Sequence, residues 1–107
     1  RLVYILNIMT KFGETHQFRA RDFVIKMESV IRRPFHTVVY NDRRPEPDVL
    51  DRYRRQQAEF VEIDNEDGWW GSRKLISADL IDTSGGVARH HPEKLAGLIA
   101  ARVLPGC

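Results

Sequence analysis

Residues 7–18, NIMTKFGETHQF, follow an apolar run and precede a stretch with helical spacing. Asn7, Thr10, Gly13, Glu14 and Thr15 supply amide, hydroxyl and carboxylate groups, and the glycine lets backbone approach a ligand closely. Backbone N–H groups at a helix N-terminus bind anions, so phosphate recognition is the chemistry this turn would support. Neither GxGxxG nor GxxxxGK[ST] is present, and on residue types alone an ordinary β-to-α turn is the stronger reading.

A second candidate is Arg89, which follows the Gly85-Gly86 turn; a planar guanidinium suits phosphate, and a surface arginine capping a carbonyl serves the sequence equally well. His90 and His91 are adjacent, so their side chains diverge. His16 and His36 lack the i+3 or i+4 partners of metal motifs, and no metal site is expected from this chain alone. Trp69 and Trp70 could stack on a sugar or base, but a Gly-flanked aromatic pair more often covers core or a subunit contact. Arginines 43, 44, 52, 54 and 55 read first as a solvated helix face and only second as a nucleic-acid footprint. No Ser-His-Asp or Cys-His arrangement is legible.

The elements that must position these groups alternate. LVYIL, 2–6, reads as a strand buried on both faces, as in a parallel sheet. Ala20, Phe23, Val24, Met27 and Ile31 form the apolar stripe of a helix over about 18–32, ended by Pro34. HTVVY, 36–40, is a second strand, closed by Asn41-Asp42. Pro45 and Pro47 with Glu46 and Asp48 have the chemistry of a helix start, with Val49, Leu50 and Tyr53 facing inward. EFVEI, 59–63, alternates like a strand, NEDGWWGSRK is an irregular connection, and LISADLI, 75–81, is another strand. Pro92 opens a last helix whose stripe runs through Leu95, Leu98, Ile99 and Val103, with Arg102 at its edge, to a stop near Pro105-Gly106. This alternation predicts an α/β fold with a mainly parallel sheet and flanking helices, with ligands beyond the carboxyl ends of the strands.

The 107 residues have the length of one small α/β domain, or of half a larger one, and can bury around two-thirds of their unfolded surface. The chain begins at Arg1 directly on a strand, which suggests that an upstream half exists. No apolar run approaches the roughly 20 residues of a membrane span. The one cysteine, Cys107, excludes disulfides within a chain and fits a reducing, cytoplasmic setting. A net charge of +2 is too small to argue for nucleic acid.

The order of motifs says more than any one of them. NIMTKFGET, then VVYND before a Pro-rich helix start and VLDRY, then ADLID, then GGVARHHPEKLA resembles the C-terminal part of the gluconeogenesis-factor (YvcK-type) proteins of the CofD-like superfamily. The resemblance covers about residues 4–103. It departs from the family pattern in three places: Lys11-Phe12 stands for Gln-Pro, His91 for the aspartate of RHDP, and the tryptophan pair for a short leucine-containing helical segment.

The resemblance implies a three-layer Rossmann-like fold, of which this is the C-terminal portion, completed by an N-terminal half with a glycine-rich nucleotide loop. It implies a regulator of carbon metabolism and cell-wall or cell-shape control that binds a nucleotide sugar, a UDP-sugar first. Asn7, Thr10, Gly13, Glu14 and Thr15 then belong to the ligand-side loop, and Arg89 and His90 contact phosphate or sugar. The alternative it implies is a 2-phospho-L-lactate transferase using a guanosine-nucleotide donor, the one case in which Mg2+ is expected. Its metal-binding acids would lie outside this chain. A small basic nucleic-acid module is the third reading, and a homo-oligomer stays open.

Overall fold

The computed structural model describes residues 2–64 and 67–106. Asn65 and Glu66 of the expected 65–74 connection, together with Arg1 and Cys107, lie outside the described residues. Strands β1 (Val3–Ile5), β2 (Thr37–Asn41) and β3 (Lys74–Ala78) form a parallel sheet in the order β1-β2-β3, with Val3 opposite Thr37 and Thr37 opposite Lys74. Helix α1 (Ala20–Ile31) joins β1 to β2, and α2 (Pro47–Arg55) leads from β2 toward the irregular segment before β3. Two short antiparallel strands, β4 (Ile81–Asp82) and β5 (Arg89–His90), precede α3 (Pro92–Leu98).

The layers follow from the period of a strand. Val38 and Val39 are adjacent, fully buried and point to opposite faces. Val38 joins Leu6, Phe23 and Val24 in a core between the sheet and α1, to which Phe35, Val61 and Trp70 contribute. Val39 joins Ile76, Leu80 and Val103 in a second core on the other face, under Leu95, Leu98 and Ile99. Helices therefore cover both faces of the sheet, and the expected three-layer α/β arrangement is present.

Local chemistry explains the element ends. The backbone N–H of Arg19 donates to Asp22 Oδ2 at 2.7 Å, which fixes the start of α1 two residues later than the periodicity suggests. Arg32 closes α1 in the left-handed region, φ 59°, ahead of Pro34. Ile31, expected in the stripe, is exposed at this last turn.

Three expectations need correction. First, β1 is only half-buried, because it forms an edge of the described sheet, whereas β2 takes the central position. Second, residues 59–63 do not form a strand: Phe60 makes one antiparallel bridge to Met9, flanked by Thr10 N–H to Glu59 O and Val61 N–H to Ile8 O, both 2.8 Å. Pairing stops there because the chain turns into the 11–17 loop immediately after Thr10. The alternation in EFVEI reports packing, since Val61 is buried and Ile63 partly so. Third, LISADLI is interrupted. Buried Asn41 accepts the Leu80 N–H on Oδ1 at 3.0 Å and donates Nδ2 to Arg43 O at 2.7 Å, so a side chain takes the place of the ladder beyond Ala78. Beyond Leu98 the last helix continues through a wider π-type turn, Ile99–Val103, which keeps Val103 in the core.

Candidate functional site

Beyond the carboxyl end of β1 the chain descends through Asn7–Thr10 and forms a tight loop. The Lys11 N–H donates to Thr15 Oγ1 at 2.7 Å, and the Thr15 N–H returns to Lys11 O at 2.8 Å. Gly13 sits in the left-handed region, φ 85°, where a side chain would be strained. This loop, with α2 and the segment after it, walls a cleft of about 500 Å³ that includes Asn7, Thr10, Glu14, Thr15, Tyr53 and Gln56. On the other side of Asn7 lies a second cleft, also about 500 Å³, whose lining includes Ile8, Ala88, Arg89, His90 and Leu95. Asn7 and Met9 border both.

The expected site residues thus fall in two adjoining groups. Asn7, Thr10, Glu14 and Thr15 line the first cleft, and Asn7, Arg89 and His90 the second. Gly13 lines neither and shapes the loop. Thr10 is buried, and its hydroxyl oxygen accepts the Glu59 N–H at 2.8 Å, so it holds the cleft wall together. Asn7 accepts from the Tyr4 hydroxyl at 2.9 Å on Oδ1, which orients its amide nitrogen. Lys11 and Glu14 form an exposed ion pair at 3.6 Å.

The segment that presents Arg89 is strapped to α2. Arg52 Nη1 donates to Gly86 O at 3.2 Å, and the Ala88 N–H donates to the Tyr53 hydroxyl at 2.8 Å. Gly86, φ 76°, leaves room for that guanidinium, since a Cβ there would overlap it. Tyr53 therefore borders the first cleft while fixing the backbone beside Arg89, a role that an inward-facing helical position did not reveal. Arg89 is exposed and makes no ion pair among the described residues. Its charge lowers the carboxyl of its cross-strand neighbour Asp82, after the larger effects of the Ser84 backbone and side-chain hydrogen bonds.

His90 behaves differently. Burial lowers its pKa, against an opposing contribution from the Leu6 backbone, and so favours the neutral ring. Its Nε2 is buried without a hydrogen-bond partner among the described residues. It lines the second cleft beside Arg89. His91 diverges from it as expected and accepts the Lys94 N–H on Nδ1 at 3.2 Å, capping α3. A carboxylate is a better N-cap than an imidazole and also meets the positive helix end. His91→Asp is therefore expected to raise stability by about 0.5–1 kcal/mol, read as a higher thermal midpoint. An unchanged or lower midpoint would show that the imidazole does not act as the cap.

The other motifs have structural roles. Trp70 is 2% exposed and donates Nε1 to Asp64 O at 2.7 Å. Trp69 stands edge-on to it at 5.0 Å, with the guanidinium carbons of Arg73 and Arg21 4.6 and 5.3 Å from its ring centre. Both arginines are held by carboxylates: Arg21 by Asp67 through two bonds of 2.7 and 2.9 Å, Arg73 by Glu28 through bonds of 2.8 and 3.2 Å. The Arg21 hydrogen bond, chiefly, holds Asp67 at about 2. In the arginine strip, Arg43 pairs with Glu46 and Asp79, Arg44 with Glu62 and Arg54 with Asp51. Among the described residues no three of His, Cys, Asp and Glu come together as a metal site, and no helix is long and apolar enough to cross a membrane.

The pattern of the family described as 2-phospho-L-lactate transferase CofD matches residues 1–81. A Thermotoga maritima protein described as "Putative gluconeogenesis factor" is 36% identical over 104 residues, covering 91% of this chain and 32% of that protein. A Nostoc protein with the same description is 28% identical over 100 residues, 91% of this chain and 22% of the relative. Among solved structures, a member of the UPF0052 family from Bacillus halodurans superposes with a TM-score of 0.82 at 25% identity, over 92% of this chain and 32% of that one. The chain thus spans about a third or less of the relatives it matches.

Proposed function

This chain belongs to the CofD family, and on that premise we propose that it forms one side of a nucleotide-sugar site, with a UDP-sugar as ligand, in a regulatory protein of carbon metabolism and cell shape. The observation that carries the reading is the meeting of two clefts at Asn7, one of them bordered by an arginine without an ion pair among the described residues. Asp82 acts on Arg89 across the strand pair without forming an ion pair among the described residues, which leaves the guanidinium able to meet a diphosphate with two parallel hydrogen bonds. The strap from Arg52 and Tyr53 fixes the backbone that carries it, which limits the ordering cost of binding. The description of its relatives as gluconeogenesis factors agrees with a role in carbon metabolism.

Arg89→Ala in the full-length protein is expected to weaken binding of UDP-glucose by roughly tenfold or more, as loss of a charge-assisted contact does. The unfolding midpoint should stay unchanged, because Arg89 is exposed. Calorimetry showing equal affinity for both proteins would remove Arg89 from the site.

The family description, 2-phospho-L-lactate transferase, favours a second reading, transfer of a phospholactyl group; a guanosine-nucleotide donor and Mg2+ belong to that reading through the resemblance. The donor set of the described residues does not fit the metal, for no acidic cluster faces either cleft. The metal ligands of such an enzyme would come from elsewhere in the protein. Metal-dependent turnover of the guanosine nucleotide would favour this reading; UDP-glucose binding without turnover would count against it.

A further inference from the structure

Phe12, at the tip of the 11–17 loop, is 54% exposed, yet the segment that carries it is pinned. Its ring stands edge-on to His16 at 5.0 Å, His16 Nδ1 lies 3.3 Å from Gln57 O, and the Lys11–Thr15 bonds close the turn behind it. Phe12 also lines the first cleft, so its exposed face is open to a molecule bound there. The lining of the same cleft includes a carboxylate, Glu14, two primary amides, Asn7 and Gln56, and Tyr53.

Planar polar groups around an aromatic face are the chemistry that recognises a pyranose. The amides and the carboxylate bond paired hydroxyls, and the electron-rich ring face meets the C–H face of the sugar. Lys11, which also lines this cleft, is paired with Glu14 at 3.6 Å, so a diphosphate finds no unpaired cation there. Arg89, which makes no ion pair among the described residues, lines the second cleft, across Asn7.

The charges therefore sort the two clefts, and we propose that the first is the glycosyl subsite, with Phe12 the platform on which the sugar ring stacks. This deepens the nucleotide-sugar reading and rests on it.

The test titrates the full-length protein with UDP-glucose and with UDP. The unmodified protein should bind UDP-glucose more tightly than UDP. Phe12→Ala should lose roughly two- to tenfold in UDP-glucose affinity, the range for one aromatic stacking contact, with UDP affinity unchanged. Gln56→Ala should move in the same direction through a lost hydroxyl contact. If Phe12→Ala weakens both ligands alike, the ring stacks on the base and the sugar assignment is overturned; unchanged affinity for both overturns it too. An unmodified protein that binds neither ligand overturns the nucleotide-sugar reading together with this proposal, a failure distinct from the first two.

Discussion

Replacing Trp70 with alanine is expected to lower the unfolding free energy by about 3–5 kcal/mol, the range for truncating a buried large aromatic. Trp70 is among the largest fully buried side chains and packs in the same core as Leu6, Val24 and Val38. Its removal leaves a cavity lined by side chains from β1, α1 and β2, which cannot collapse without moving the sheet. The Nε1 bond to Asp64 O goes with it. Trp70→Phe keeps much of the volume but not the N–H, and is expected to cost about 1–3 kcal/mol. Urea titration of the full-length protein separates these cases by the midpoint at constant slope. A Trp70→Ala midpoint equal to that of the unmodified protein would mean that the 64–73 segment is not part of the core.

The second large effect is expected at Glu28. Its carboxylate accepts Arg73 Nη2 at 2.8 Å, Arg73 Nε at 3.2 Å and the Phe35 N–H at 2.8 Å. One side chain on α1 thus holds the loop before β2 and the start of β3. The pair is largely covered, with side-chain exposures of 17% for Glu28 and 20% for Arg73. Glu28→Ala strands a guanidinium and a backbone N–H, and should cost about 2–3 kcal/mol.

The pH dependence identifies the interaction. Burial pushes the Glu28 pKa up and is the largest single effect, but the Arg73 hydrogen bond, the Phe35 N–H and the Arg73 charge together bring it below its ordinary value. A carboxyl lowered on folding stabilises the folded state above its unfolded pKa, and that contribution fades as pH falls through the folded one. The stability difference between the unmodified protein and Glu28→Gln should therefore be full near neutral pH and shrink below pH 4.5, the ordinary value. A difference that does not vary with pH would show that the ion pair does not stabilise the fold.

The sequence made the layers legible because both cores rest on local periods. The stripe Ala20-Phe23-Val24 and the paired Val38-Val39 announce a helix and a strand without knowledge of anything distant. Residues 59–63 misled because alternation records which side chains are buried, not whether the backbone finds a partner. The split of LISADLI was hidden for a similar reason: Asn41 reaches Leu80 across 39 positions, and no local pattern carries that bond.

The site divides along the same line. The loop 10–15 stood out through its turn chemistry and Arg89 through its glycine pair. That Asn7 borders both clefts is a fact of tertiary arrangement. Arg21 carries no local signal of its role; only the fold brings Asp67 and Trp69 to it. The same holds for Tyr53, whose hydroxyl finds the Ala88 N–H 35 residues away. Phe12 was visible as a departure from the family pattern, but its exposure required the loop to be built.

The central claim is that the two clefts meeting at Asn7 act as one nucleotide-sugar site. Amide hydrogen exchange of the full-length protein, with and without saturating UDP-glucose, tests it most directly. The ligand is expected to slow exchange in residues 7–15 and 84–90 together, and Arg89→Ala to weaken both effects in parallel. Saturable binding that leaves both segments unprotected, or that protects a surface elsewhere in the protein, would contradict it.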